Sequence, residues 1–207
     1  MALNTMTGSD IMTGVNNLRA QNTTDFLDAT KQLYYLNLAI NYLNKSNKYF
    51  FAEKRATYTV STGTTRFYLF STLITDNDLK KIKILRYNDD SLKDYPFIIG
   101  EDYVIEPDTT GATGIRFIKD VSAVIEIIYY AYIPKITDLS STVDIPFEFN
   151  DFLIYKILEY VYLSQKKKDY ARDMNSLASE AYGEIVKNNF TQEETQVLGN
   201  ALFNSFY

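Results

Sequence analysis

By residue type and spacing, few groups in this chain could do chemistry. They are three pairs of adjacent carboxylates (Asp89 with Asp90, Glu101 with Asp102, Glu193 with Glu194), a run of three lysines at 166–168 and two glycine-bearing loops. Paired carboxylates hydrolyse glycosides when they come from separate elements and face one cleft about 5–10 Å apart. Neighbours in a turn or at a helix start point away from one another, so these pairs read as solvated turns. They also lack the alternating ligands and closing Glu of a calcium loop. The stretches Ser61-Thr62-Gly63-Thr64 and Asp108-Thr109-Thr110-Gly111-Ala112-Thr113-Gly114 lack the Lys and the following helix of a phosphate-binding loop, and read as turns. Lys166, Lys167 and Lys168 could touch the phosphates of passing DNA. A continuous nucleic-acid groove needs more basic residues in register, so the run also reads as a solvated break between helices.

What the chain lacks narrows the chemistry further. It has no His and no Cys among its 207 residues. That removes every catalytic triad built on a His base, every thiol nucleophile, and the imidazole and thiolate metal ligands. The net charge of −5 argues against a general nucleic-acid binder, which would carry a basic footprint. The start, Met1 to Asp10, has no basic region followed by an apolar one, and the longest apolar run, Ile127 to Ile133, is too short to cross a bilayer. The expectation is a soluble, cytoplasmically made protein with no cofactor, no metal, no catalysis and no membrane contact.

The elements that would position these residues follow from the spacing of apolar side chains. Residues 1–22 are rich in Thr, Asn and Gly and read as a flexible arm, with at most a short helix around Val15 to Ala20. Thr24 or Asp25 is the expected cap of a helix in which Leu33, Leu36, Ile40 and Leu43 recur at helical spacing. From Tyr49 to Pro134 the period falls to two. Strands are expected at Tyr58–Val60, Phe67–Leu69, Ile82–Leu85, Ile115–Ile118 and Val121–Ile133, with a hairpin of 97–99 against 103–105. Pro146 suits the first turn of a helix lined by Ile154, Ile157, Leu158 and Val161. Asp169 is the expected cap of a last helix carrying Tyr170, Met174, Leu177, Ala181 and Ile185, so the two form an αα-hairpin. The fold class is α+β: a helical bundle of an N-terminal helix plus a C-terminal helical hairpin, a small inserted antiparallel β domain, and extended terminal arms. The divisions are an N-terminal arm at 1–22, a helical core at 23–48 and 145–188, a β-rich insertion at 49–144 and a C-terminal arm at 189–207.

Several strings resemble the head–tail connector, or adaptor, proteins of tailed bacteriophages. Phe26 to Asn44, with Leu33, Tyr34, Leu36, Ala39 and Tyr42, looks like the first helix of that family. Phe67-Tyr68-Leu69 followed by Asp78-Leu79-Lys80-Lys81-Ile82 is similar to its entry into the β region. The strand Ile125 to Ile133 running into Pro134, the acidic linker Asp138 to Asp144, and Ile145-Pro146-Phe147-Glu148-Phe149 before a Tyr-rich helix resemble its C-terminal half. The resemblance covers about residues 24–188, and neither terminal segment inherits a role from it.

The resemblance implies a structural virion protein. It would form a ring, commonly twelvefold, between the portal protein and the tail tube, nozzle or further ring proteins, with DNA passing through without sequence-specific binding. The alternative is another neck or tail component: a stopper, a tail-completion protein or a minor capsid protein. Candidate interface residues are Tyr129, Tyr130 and Tyr132, because strand alternation sends only one face into the domain's own core. Val197, Leu198, Leu202, Phe203, Phe206 and Tyr207 join them, since they fall on one helical side of the last segment. Lys166, Lys167 and Lys168 are the candidate DNA-proximal residues.

Overall fold

A computed structural model describes residues 5–20, 27–45, 52–61, 66–74, 78–89, 91–92 and 95–203. The chain divides into two compact units, one of residues 1–47 with 133–207 and one of residues 48–132.

The first unit is mainly helical. Its helices are α1 (Gly8–Ala20), α2 (Ala29–Lys45), α4 (Asn150–Ser164) and α5 (Lys168–Phe203). A two-stranded antiparallel pair joins β1 (Thr5–Thr7) to β8 (Thr142–Pro146). Helix α4 is the centre of the unit: α1, α2 and α5 all pack against it. Phe152, Leu153, Ile154, Ile157, Leu158, Val161 and Tyr162 are buried, so nearly the whole circumference of α4 is covered, as a continuously apolar helix requires.

The N-terminal segment differs from the arm expected. Ile11, Met12 and Val15 are fully buried on α1, and Gly14 lies so close to Ile154 that a methyl group there would strike that side chain. Three apolar residues within five positions are enough to seat a helix, although the intervening Ser, Asp, Thr and Asn give the segment the composition of a tail. Thr7 and Asp10 start it with a reciprocal cap. The Thr7 N–H donates to Asp10 Oδ2 at 2.9 Å, and the Asp10 N–H donates to Thr7 Oγ1 at 3.2 Å. In α2 the cap is Asp28, whose Oδ1 accepts the Lys31 N–H at 2.9 Å; Thr24 and Asp25 lie outside the described residues. Leu36, Ala39, Ile40 and Leu43 form the buried stripe.

Residues 133–144 join this helical unit, although the sequence assigned them to the β insertion. Asn44 exchanges two hydrogen bonds with the Ile133 backbone, and Asn37 does the same with Ile136. Each Asn amide thus imitates a strand partner, fixing an otherwise irregular segment along α2.

Among the described residues the second unit holds six strands: β2 (Glu53–Val60), β3 (Phe67–Leu69), β4 (Leu79–Tyr87), β5 (Tyr103–Pro107), β6 (Thr113–Phe117) and β7 (Ala123–Ala131). A four-residue helix, α3 (Phe70–Leu73), follows β3. The strands form two antiparallel sheets, ordered β2-β7-β4 and β3-β6-β5. Ile125, Ile127 and Tyr129 from β7 share one core with Tyr103, Ile115 and Phe117 from the other sheet. The expected hairpin of 97–99 against 103–105 is absent. β5 pairs instead with β6 across the Asp108–Gly111 turn, and residue 99 makes only an isolated bridge to Tyr103. Asp108 drives that choice: its Oδ1 accepts the N–H groups of Thr110 and Ala112, and Gly111 supplies the required φ of +87°.

Turn carboxylates recur throughout. Asp10, Asp28, Asp102, Asp108 and Asp138 are all held below the ordinary value of 3.8. Hydrogen bonds cause this: from Thr7, from the Lys31 N–H, from the Ile98 N–H with Lys119, from Thr110, and from the Ser140 N–H respectively. A carboxyl with a folded pKa below its unfolded one stabilises the fold fully above the unfolded value, and that contribution fades as pH falls through the folded value. With no His to titrate in between, the urea midpoint is expected to be flat from pH 7 to pH 5 and to fall below about pH 4. A midpoint that climbed on acidification would contradict this.

Candidate functional site

The turn between α4 and α5 explains where the three lysines go. The Lys166 N–H donates to the Leu163 carbonyl at 3.0 Å and the Lys167 N–H to the Tyr162 carbonyl at 2.9 Å, the two bonds of a Schellman closure. Such a closure needs a left-handed residue, and Lys166 fills it with a φ of +61°, where glycine is the ordinary choice. Lys166 and Lys168 are exposed and Lys167 is half-buried, so at least two ammonium groups stand at the tip of the hairpin. Lys166→Gly should relieve the left-handed backbone and raise unfolding stability by about 0.5–1 kcal/mol in a urea titration. A loss of similar size would show that the lysine side chain itself holds the turn.

From that tip α5 runs back along α4. Tyr170 packs on Tyr162 at 5.5 Å between ring centroids and Tyr182 on Phe152 at 5.4 Å, so the helices are antiparallel over almost the whole of α4. Ala171, Ala178 and Ile185 form the covered side of α5, one residue every two turns. At 1.5 Å per residue, the 15 residues of α4 span about 22 Å and the 36 residues of α5 about 54 Å. The helix therefore continues for some 30 Å past the start of its partner. Val197, Leu198, Leu202 and Phe203 belong to those last turns. Phe206 and Tyr207 lie outside the described residues.

The three candidate tyrosines separate. Tyr129 is buried in the core of the second unit and donates its hydroxyl to Asp78 Oδ1 at 3.1 Å. Tyr130, on the opposite face of β7, is covered as well, with the Lys83 ammonium 5.7 Å from its ring centre. Only Tyr132, 48% exposed just past the strand, presents its ring outward. Alternation describes their directions correctly, but the residues on both faces of β7 are buried, Ile127 and Tyr129 on one and Ile128 and Tyr130 on the other. Other exposed apolar side chains, Tyr95, Ile98 and Ile99, stand in the loop before β5.

Two ionic constellations escape the sequence. Glu126 points from β7 to the outer face of the β2-β7-β4 sheet. Its Oε2 takes both Arg86 Nη2 at 2.6 Å and Arg86 Nε at 2.7 Å, and its Oε1 lies 3.7 Å from Arg55 Nη1. It is only 7% exposed, and Lys83 with Glu53 at 2.6 Å extends the charges along the same face. In the helical unit Lys156 is 6% exposed. Its ammonium lies 2.6 Å from Glu159 and 4.2 Å from the centre of the Tyr42 ring, with the Tyr160 ring beyond. Burial, and secondarily the neighbouring Glu159 charge, pushes the Tyr160 phenol up to about 12. Lys156 sits at a core position of an apolar helix, and no spacing rule distinguishes a caged lysine from an exposed one.

These sites chiefly organise the surface; they do not converge on a cleft. Asp89 sits in one turn and Glu101 with Asp102 in another; Asp89 accepts from Ser91 and Asp102 from Ile98. Among the described residues no three or more acidic side chains gather as ligands, and no helix is long and apolar enough to cross a membrane. What the geometry offers is a long helix outrunning its hairpin, a basic tip and a charged sheet face. A family model described as SU10 adaptor protein matches residues 6–199. No curated protein matches the chain.

Proposed function

The chain belongs to the SU10 adaptor protein family, a phage head–tail adaptor family, and from that premise we propose that it is the subunit of a ring seated between portal and tail. The family assignment makes it a structural component of a phage particle that meets other head or tail proteins. The family model reaches to residue 199 and so includes most of the helical overhang of α5. That overhang is the observation that carries the finer reading.

A helix too long for its own unit is suited to a groove on a partner. In this reading the last turns of α5 dock on the portal, and the body of the subunit meets its neighbours head to tail. A rotation that closes turns such contacts into a ring, commonly of twelve copies. Once one subunit sits on a symmetric partner, its neighbour's contacts become effectively intramolecular, so weak pairwise affinity is enough. The three lysines at the hairpin tip are the residues to face passing DNA, as a few point charges that a net negative subunit can offer without holding the duplex. No reaction is assigned to the chain.

The test is the solution mass of the purified chain, alone and mixed with the portal protein of the same genome. The expected outcome is a monomer alone and a ring of copies on the portal. If chain and portal stay apart at high concentration, the protein belongs with the tail-side components, and the stopper or tail-completion reading replaces this one.

A further inference from the structure

The second unit shows solvent an apolar loop that is nevertheless firmly held. Between β4 and β5, Tyr95 is 71% exposed, Ile98 52% and Ile99 61%. Phe97 anchors the loop in the core, with its ring centre 4.6 Å from that of Tyr87 and 5.7 Å from that of Phe117. The Asp102 carboxylate accepts the Ile98 N–H at 2.9 Å, and the Ile98 carbonyl accepts the N–H groups of Glu101 and Asp102. The Phe97 N–H donates to the Leu85 carbonyl, which lays residues 96–97 along β4. A loop already fixed in shape loses little freedom on docking, so its exposed apolar side chains suit a contact surface. The segment is also acidic: residues 88–102 hold Asp89, Asp90, Asp94, Glu101 and Asp102 against the single Lys93.

The outer face of the β2-β7-β4 sheet, turned away from the core, has the opposite character. Register puts Arg55 of β2 with Lys81 and Arg86 of β4 on the side of Glu126 and Tyr130. Lys83 reaches the same side at the irregularity in β4, where it lies over the Tyr130 ring and meets Glu53. Four cations against two carboxylates leave this face net positive in a chain whose total charge is −5. Two of the cations are available. The Arg55 side chain is 63% exposed and reaches Glu126 only at 3.7 Å. Lys81 is exposed and has no ion-pair partner among the described residues. Val124, 41% exposed on the same face, adds an apolar spot beside the aliphatic stems of the basic residues.

Loop and face belong to one unit but lie on different sides of it. The loop grows out of the core side through Phe97, whereas Arg55 and Lys81 stand on the opposite side of the sheet. Complementary patches on different sides of a subunit make a head-to-tail contact, the kind that a ring repeats.

We propose that the loop of Tyr95, Ile98 and Ile99 in one copy docks on the basic outer face of the β2-β7-β4 sheet in a second copy. The inference rests on the ring reading above and names the contact between neighbours in that ring. A second copy is the occupant because one sequence supplies both halves, an acidic apolar knob and a basic seat. The charges steer the approach and fix the register, and the apolar side chains anchor it.

The chain contains no cysteine, so two introduced thiols report on this contact alone. Ile99→Cys marks the loop and Thr57→Cys, opposite Glu126, marks the face. One chain carrying both changes, mixed with portal and treated with a short bismaleimide, should give a ladder of covalent oligomers. Two chains carrying one change each should stop at cross-linked pairs. Two further variants remove the contact without touching the core. Tyr95→Ser with Ile98→Ser spoils the knob, and Arg55→Gln with Lys81→Glu spoils the seat. Each should leave Tm within a few degrees of the parent and raise at least tenfold the concentration that half fills the ring on the portal. Rings that form without a ladder, and fill equally well with both variants, would overturn the contact and leave the ring reading standing. Loss of filling by the knob variant alone, with the seat variant like the parent, would give the loop to the portal and also overturn the proposal. A ladder formed without any binding to portal would keep this contact and remove the portal from the reading. A parent chain that never associates, on or off the portal, would remove both.

Discussion

Cutting the chain after Asn188 should leave a folded protein that no longer binds the portal. By then the hairpin has its described packing: among the described residues Ile185 is the last buried one of α5, and Tyr182 already reaches Phe152 in the first turn of α4. That packing stays in the shortened chain, so the thermal midpoint should move by no more than a few degrees. Binding should fall at least about a hundredfold per site, roughly 2.7 kcal/mol. In a ring that loss multiplies, because every subunit loses the contact that made its neighbour's docking intramolecular. Pull-down on immobilised portal and sedimentation of the mixture both read it. Undiminished binding by the shortened chain would remove α5 from the portal contact and shift attention to the exposed loop with Tyr95, Ile98 and Ile99.

Replacing Glu126 by Ala should be the most destabilising single polar change in the second unit. Glu126 accepts two Arg86 nitrogens on one oxygen, at 2.6 and 2.7 Å, and balances Arg55, and the Arg86 side chain is only 20% exposed. Removing the carboxylate leaves a largely buried guanidinium without its counter-charge, a change that costs about 3–5 kcal/mol. Glu126→Gln keeps the shape and one acceptor, so its cost should be roughly half. Changing Glu126 and Arg86 together to Gln and Met should recover much of the loss, because the unpaired charge goes too. Urea unfolding gives the global figure, and hydrogen exchange of the β7 amides locates it. A cost below about 1 kcal/mol for Glu126→Ala would mean that water reaches Arg86 freely.

The order of elements was legible where a period was unbroken. The stripe of α2 and the strands β3, β4 and β7 could be read because Leu36, Ile40 and Leu43, or Ile125, Ile127 and Tyr129, recur at helical or strand spacing. Segments held by single side-chain devices were not legible. α1 hid behind polar composition, and the stretch after Ile133 is fixed by Asn37 and Asn44, a pairing that no local pattern announces. The hairpin expected of 97–99 against 103–105 gives way to β5 on β6 because the Asp108 carboxylate gathers the amides of the turn between them, a contact that apolar spacing does not announce. Of the candidate site, the position of Lys166 to Lys168 followed from the helical break, whereas the burial of Tyr130 depends on side chains from other strands, such as Lys83, lying over the second face of β7. Arg19, Glu126 and Lys156 are charged residues under cover, and a sequence shows charge without showing what lies above it.

The division of the chain also sets an order of events during synthesis. The β unit is one continuous stretch, 48–132, and has its whole core as soon as β7 has emerged. The helical unit is split around it. α1 and α2 are made first, yet α4, on which both pack, follows roughly a hundred residues later. At bacterial elongation rates that is a wait of about 5–20 s, far longer than a helix pair needs to form. During it the stripes of Ile11, Val15, Leu36 and Ile40 have no permanent cover. Folding is therefore sequential, the middle of the chain first and its two ends last and together. A nascent chain of this design cannot present its helical unit to any partner before the final helix has left the ribosome, so synthesis itself acts as the timer for assembly.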